Sequence, residues 1–165
     1  MARQHLTAPV PTEDLPKGIP YIIGNEAAER FSFYGMKAIL VVFMHQFLHV
    51  MDGRVGIAEM TRAEAIETYH DFTSWVYLTP IFGALLADSI LGKYRTILSL
   101  SIVYCFGHLA LAFMGMGGMS AESWLMTGLL LIAVGSGGIK PCVSAHVGDQ
   151  FGKSNGHWLS KVFGW

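Results

Sequence analysis

Between Asn25 and Lys37 the chain carries two carboxylates and two cations, Glu26, Glu29, Arg30 and Lys37. This charged run passes without a break into the apolar stretch Ala38 to Val50, interrupted only by His45, Gln46 and His49. The whole segment is long enough to cross a bilayer, which needs roughly 20 mostly apolar residues. A charge placed in hydrocarbon costs about 3 kcal/mol on insertion scales, so such groups face a protein interior or a water-filled cavity. The default expectation is an ion or substrate pathway.

The rest of the chain has the same character. Of 165 residues, 52% are apolar and 14% charged, too greasy a balance for an ordinary soluble domain. The net charge of −1 gives no electrostatic reason to expect a nucleic-acid partner. Cys105 and Cys142 sit in apolar surroundings without CxxC spacing, which reads as two buried free thiols. Residues 1–20 are polar, contain Pro9, Pro11, Pro16 and Pro20, and lack the apolar core of a signal peptide. They read as a short, loose cytoplasmic segment.

The expected fold is an all-α integral membrane bundle. Four spans are expected at about 21–50, 66–91, 96–116 and 123–147, with a fifth starting from 158, where the chain looks cut off. Arg3 and Lys17, then Lys93 and Arg95, then Lys153 and Lys161 all fall on one side of such a bundle. The opposite side has Arg54 and Arg62, diluted by Asp52, Glu59, Glu64 and Glu67. The excess of basic residues places the amino terminus in the cytoplasm.

A helix turns about 100° per residue. With Glu26 as origin, Glu29 lies near about −60°, Phe33 about −20°, Lys37 about +20°, Arg30 about +40° and Tyr34 about +80°. The polar groups form one stripe, with Phe33 set among them. Glu26 and Arg30 are an i,i+4 pair in the favourable order. The stripe suits either proton exchange, because cations and a low-dielectric wall pull a carboxyl in opposite directions, or a fixed ion-pair cluster between helices.

On the second span, His70, Thr73, Ser74 and Tyr77 recur at helical spacing. His70 suits a gate or proton-entry site, or a hydrogen-bonded packing residue. Pro80 removes a backbone donor and allows a bend, and Gly83-Ala84-Leu85-Leu86-Ala87 offers a small-residue face for helix contact. Asp88, Lys93 and Arg95 around Gly92 read as a charged clasp in a short connection, or as a simple positive-inside turn. On the fourth span, Gly135-Ser136-Gly137-Gly138-Ile139-Lys140-Pro141 lacks the order of a phosphate loop. Its glycines favour close helix approach, and Pro141 favours a kink. Lys140 needs a carboxylate partner, which the first span supplies, or must snorkel to the interface.

Three motifs coincide. They are Glu26-x-x-Glu29-Arg30-Phe31-Ser32-x-Tyr34-Gly35; Tyr77-Leu78-Thr79-Pro80 leading to Asp88-Ser89 and Leu91-Gly92-Lys93; and Gly135 to Ser144 closing on Gly148-Asp149-Gln150-Phe151. Together they resemble the proton-coupled oligopeptide transporter family of the major facilitator superfamily. The resemblance implies a fold of twelve or more helices, with this chain as its amino-terminal part. It implies a proton-coupling role for Glu26, Glu29, Arg30, His70 and Lys140. It also implies substrate contacts from Arg30, Tyr34, Lys37, Tyr77 and Lys140, and a cytoplasmic clasp from Asp88, Lys93 and Arg95. Phe33 stands where the family often has tyrosine, and Lys37 where it often has arginine. Both departures bear on substrate preference.

The resulting expectation is proton-driven symport of di- and tripeptides across a plasma or inner membrane. Protons serve as the coupling ion, without a cofactor or metal. The alternatives are transport of nitrate or another small anion on the same fold, or a truncated membrane piece that transports nothing. An enzyme is not expected: His45 and His49 stand i,i+4, but no third zinc ligand or base accompanies them.

Overall fold

The computed structural model describes residues 8–52, 59–116 and 118–164. Arg3 and Arg54, used above for topology, and Trp165 at the chain end lie outside them. The described residues are helical, without a strand. Helix α1 spans Ile19–Gln46, α2 Leu48–Met51, α3 Arg62–Leu86, α4 Lys93–Ala112, α5 Ala121–Gly148 and α6 Leu159–Phe163.

Local chemistry sets these boundaries. Pro20 occupies the first turn of α1, where a missing N–H costs nothing. At α3, Thr61 accepts from the Glu64 amide at 3.3 Å while the Glu64 carboxylate accepts from the Thr61 amide at 2.7 Å. This capping box starts the helix at Arg62, four residues before the expected span. Ser120 caps α5 by accepting from the Ser123 amide at 3.1 Å, and Asp52 accepts from the Ala121 amide at 3.0 Å. The second bond ties the end of α2 to the start of α5. Helix α3 runs into a π-helical turn, Ala87–Leu91, and Gly92 at φ 76° reverses the chain into α4. The first span is broken at Phe47, so the expected element at 21–50 is a long helix followed by one short turn.

Three helical stretches, Arg62–Leu91, α4 and α5, are long and apolar enough to cross a membrane. Helix α1 is also long, at 28 residues, but Glu26, Glu29, Arg30 and Lys37 set it apart from those three. It is stable in a bundle only with its stripe turned toward protein or water. Helix α5 is central: 61% of its most apolar stretch is buried, against 22% for Arg62–Leu91 and 28% for α4.

Lipid tails are as apolar as leucine, so helix association here rests on van der Waals packing rather than on expulsion of water. Small residues make that packing close. Gly83 of α3 meets Gly138 of α5 backbone to backbone, and Gly107 of α4 lies against Gly128 and Ile132 of α5. Thr79 adds a bond across the α3–α5 contact, donating to the Ala133 carbonyl at 2.9 Å. One apolar cluster joins Phe33, Leu40 and Met44 to Phe72, Val76, Leu125 and Ile132, while a second gathers Ile19, Leu100, Ile139, Val143, Val147 and Val162.

Three expectations are corrected. The amino-terminal segment is not loose over its described part. The Trp158 indole donates to the Glu13 carbonyl at 3.2 Å, Ser154 donates to the Thr12 carbonyl at 2.9 Å, and Leu15 packs on the second apolar cluster. Proline lacks a backbone N–H, and the described part of this segment forms no helix before α1, so its carbonyls are open to these donors. Next, Lys93 pairs with Asp149 at 2.7 Å rather than with Asp88 or any acid of its own turn. The pairing of α4 with α5 brings the first residue of one to the last turn of the other. As a partly exposed ion pair it adds at most about 1 kcal/mol. Finally, Cys142 is buried but Cys105 is exposed, and both are free. Cys105 lies on the face of α4 turned away from α5.

Candidate functional site

The buried residues of α1 are Ile19, Phe33, Leu40 and Met44. On the helical wheel the last three fall between about −40° and 0°, so the core lies on the side where Glu29 and Phe33 project. Arg30 and Tyr34 project the other way and are exposed. The single stripe seen in the sequence is therefore divided by its surroundings into an inner edge and an outer edge.

Arg30 on the outer edge is ion-paired with Glu26, whose side chain is 26% exposed and lies at the boundary between the two edges. Arg30 Nη2 lies 2.6 Å from Glu26 Oε1, and Arg30 Nε donates to the same oxygen at 2.7 Å. Tyr34 is 55% exposed, and Tyr77 of α3 is 75% exposed. His70 is exposed too; its ring stands edge-on to Tyr69 at 5.8 Å, and its carbonyl accepts from Ser74 at 2.8 Å. The structure does not join His70 to either glutamate of α1.

The inner edge carries Glu29 and Phe33. The Glu29 carboxylate accepts a short hydrogen bond from Ser136 of α5. Its backbone carbonyl accepts from the Tyr104 hydroxyl of α4 at 3.2 Å, and that hydroxyl lies 2.6 Å from Ser32 Oγ. Ser136 thus holds the Glu29 carboxylate, while Ser32 and Tyr104 hold its backbone carbonyl, so three helices meet at this residue. Ser32 and Ser136 were both visible in the motifs, at i+3 from Glu29 and i−4 from Lys140. The sequence alone gave neither a role, and Tyr104 had no signal beyond being a polar residue in an apolar span.

One turn further along α1, Phe33 is 4% exposed. Its ring neighbours are Tyr34 at 5.4 Å and Phe72 of α3 at 6.0 Å. Two ammonium groups approach the same ring, Lys37 Nζ at 5.5 Å and Lys140 Nζ at 5.1 Å. Lys37 also stands 4.9 Å from the Tyr69 ring. A ring quadrupole attracts a cation at this range, by about 2 kcal/mol where water is excluded. The expected pairing of Lys140 with a carboxylate of α1 is corrected: among the described residues Lys140 forms no ion pair, and its charge rests on Phe33. The reason lies in the alternatives each group has. Glu29 is already held by Ser136, and Glu26 by Arg30.

The arrangement puts an unneutralised carboxylate and two lysines without ion-pair partners among the described residues along the middle of α1, with Tyr34 exposed on the same helix and Tyr77 exposed on α3. Such a set can take up and release a proton at Glu29 and can receive an anionic group at Lys37 and Lys140.

Residues 94–165 match the sequence model of the POT family, PTR2. The chain is 45% identical over 148 residues to Peptide transporter family 1 of Drosophila melanogaster, covering 88% of this chain and 18% of that protein. It is 41% identical over 162 residues to human Solute carrier family 15 member 2, covering 94% of this chain and 21% of that protein. Among solved structures, the POT family transporter PepTSo superposes with a TM-score of 0.80 at 46% identity, over 92% of this chain and 28% of the other. The chain therefore spans about a fifth of the length of the curated relatives it matches.

Proposed function

The chain belongs to the POT family of transporters, and we propose on that footing that it is part of a proton-driven symporter of di- and tripeptides. The observation that carries this reading is the separation of charges on α1 and α5. Glu29 rests on a neutral hydroxyl and Lys140 on an aromatic ring, so both are available to ligands.

A peptide is a zwitterion. Its carboxylate is received by Lys37 and Lys140, with Arg30 in reserve once Glu26 releases it. Tyr34 and Tyr77 offer hydroxyls to the peptide backbone. The counter-charge for the peptide ammonium comes from helices outside this chain. A proton bound at Glu29 removes a negative charge that competes with substrate for Lys140, so proton and peptide bind better together than apart. That differential affinity links the proton gradient to substrate movement. His70, exposed on α3, serves as a relay toward the site. The basic end of the bundle, with Lys17, Lys93, Lys153 and Lys161, faces the cytoplasm of a plasma or inner membrane.

The test is uptake of a labelled dipeptide into proteoliposomes containing the whole transporter. Accumulation under an inward proton gradient, abolished by a protonophore, is expected. Uptake driven equally well without the gradient overturns the reading, and competition by nitrate at similar concentration redirects it to small anions. Phe33→Leu keeps much of the volume but removes the ring shared by Lys37 and Lys140. It is expected to raise the KM for dipeptide roughly tenfold, the equivalent of about 1.4 kcal/mol. Phe33→Tyr, which keeps the π face, is expected to stay within about twofold of the parent.

A further inference from the structure

We propose that Ser136 is a positioning residue for proton coupling: it holds the Glu29 carboxyl on α5 one helical turn short of Lys140 and so keeps acid and base apart. The inference rests on the proposed symport for its consequence, but its geometry is independent of any substrate.

Ser136 is fully buried, at 0% exposure. The residues around it leave little freedom. A side chain at Gly135 would collide with Tyr104 of α4, whose Cα lies 2.8 Å from the position of a Cβ there. One at Gly137 would reach the Val76 carbonyl of α3 at 2.7 Å. Glycine on either side thus brings α4 and α3 against the flanks of α5, and Ser136 is left to face α1. A buried hydroxyl without a partner is costly, and Glu29 is the partner the structure gives it.

Lys140 follows Ser136 by four residues, so both side chains leave the same face of α5. The carboxyl of Glu29 is therefore offered two donors on one face, a neutral hydroxyl and an ammonium, and it sits on the hydroxyl. The ammonium lies against Phe33 instead, 5.1 Å from the ring centre. Among the described residues, the charged and titratable groups beside Glu29 include Glu26 and Arg30 on its own helix and Tyr104 on α4, with Lys140 one turn along α5 from Ser136. Arg30 is engaged with Glu26, and Tyr104 is bonded to Ser32 and to the Glu29 carbonyl. Ser136 is thus the group that fixes where the carboxyl waits. Without it, Glu29 is drawn to Lys140, and a carboxylate so paired no longer exchanges the driving proton, while Lys37 still receives the peptide.

Two measurements on the whole transporter test this. The first is infrared difference spectroscopy across a pH titration, with Glu29→Gln used to identify the carboxyl band. Ser136→Ala is expected to shift the carboxylate stretching bands, because the carboxylate exchanges a neutral hydroxyl donor for the Lys140 ammonium. An unmoved band overturns the proposal whatever the substrate proves to be. The second compares proton-driven dipeptide uptake with dipeptide counterflow, which needs no net proton movement. Ser136→Ala is expected to lower the first about tenfold and leave the second within about twofold, and Ser136→Cys, a weak donor, to fall between. Equal loss of both activities, unrestored by cysteine, means that Ser136 only packs helices and overturns the proposal. Failure of the parent protein to accumulate dipeptide refutes the symport reading alone, since the band shift is read separately.

Discussion

Gly83→Ala is expected to cost the bundle about 3 kcal/mol of stability, the upper part of the range for overpacking a close contact. The added methyl falls on the Gly138 carbonyl oxygen of α5, with the Gly138 Cα 2.5 Å away. Both obstacles are backbone, so no rotamer change relieves them. The α3–α5 crossing must open, and with it the Thr79–Ala133 bond and the contact of Gly137 with Val76. In a membrane this loss has no compensation from water, because helix contact is all that favours association over lipid solvation. The measurement is thermal unfolding of the detergent-solubilised transporter, read against Gly24→Ala. At Gly24 nothing lies within 4 Å of the added methyl. There the better helix propensity of alanine is expected to be neutral or to stabilise by less than about 1 kcal/mol. Equal melting temperatures for the two variants would mean that α3 and α5 slide freely, against the packing described.

The sequence disclosed the helices better than their mates. Long apolar runs and the small-residue stretches around Gly83 and Gly135 located the elements, since both features are local. The capping box at Thr61 and Glu64 was equally local, and it explains why α3 begins earlier than its apolar run. Rotation about α1 was also legible: 3.6 residues per turn puts Glu29 and Phe33 on one side and Tyr34 on the other. What a helical wheel cannot supply is the residue that stands opposite. Lys93 had Asp88 five residues away, yet its partner is Asp149, reached through the pairing of α4 with α5. Lys140 had two carboxylates in prospect and took an aromatic ring, because each carboxylate had a nearer donor. The proline-rich start looked loose for the same reason: its carbonyls are satisfied by Ser154 and Trp158, more than 140 positions along the chain.

The same division of partners separates the two glutamates of α1 as candidate sites for the proton of the proposed symport. Both guanidinium contacts of Arg30 converge on one oxygen of Glu26, so a proton added there displaces a cation. Glu29 faces a hydroxyl, which can donate to a carboxylate or accept from a carboxylic acid, so a proton added there breaks no ion pair. Glu29→Gln is therefore expected to uncouple transport, since the amide copies the shape of the acid but holds no exchangeable charge. A gradient of 100 mV supplies about 2.3 kcal/mol per proton, enough for roughly 50-fold accumulation of substrate at one proton per cycle. For Glu29→Gln the accumulation ratio is expected to fall to about one while dipeptide counterflow continues. Glu26→Gln frees Arg30 at an exposed edge and is expected to alter KM more than the accumulation ratio. Concentrative uptake that survives Glu29→Gln and disappears in Glu26→Gln would reverse the assignment and move the proton to the outer edge of the helix.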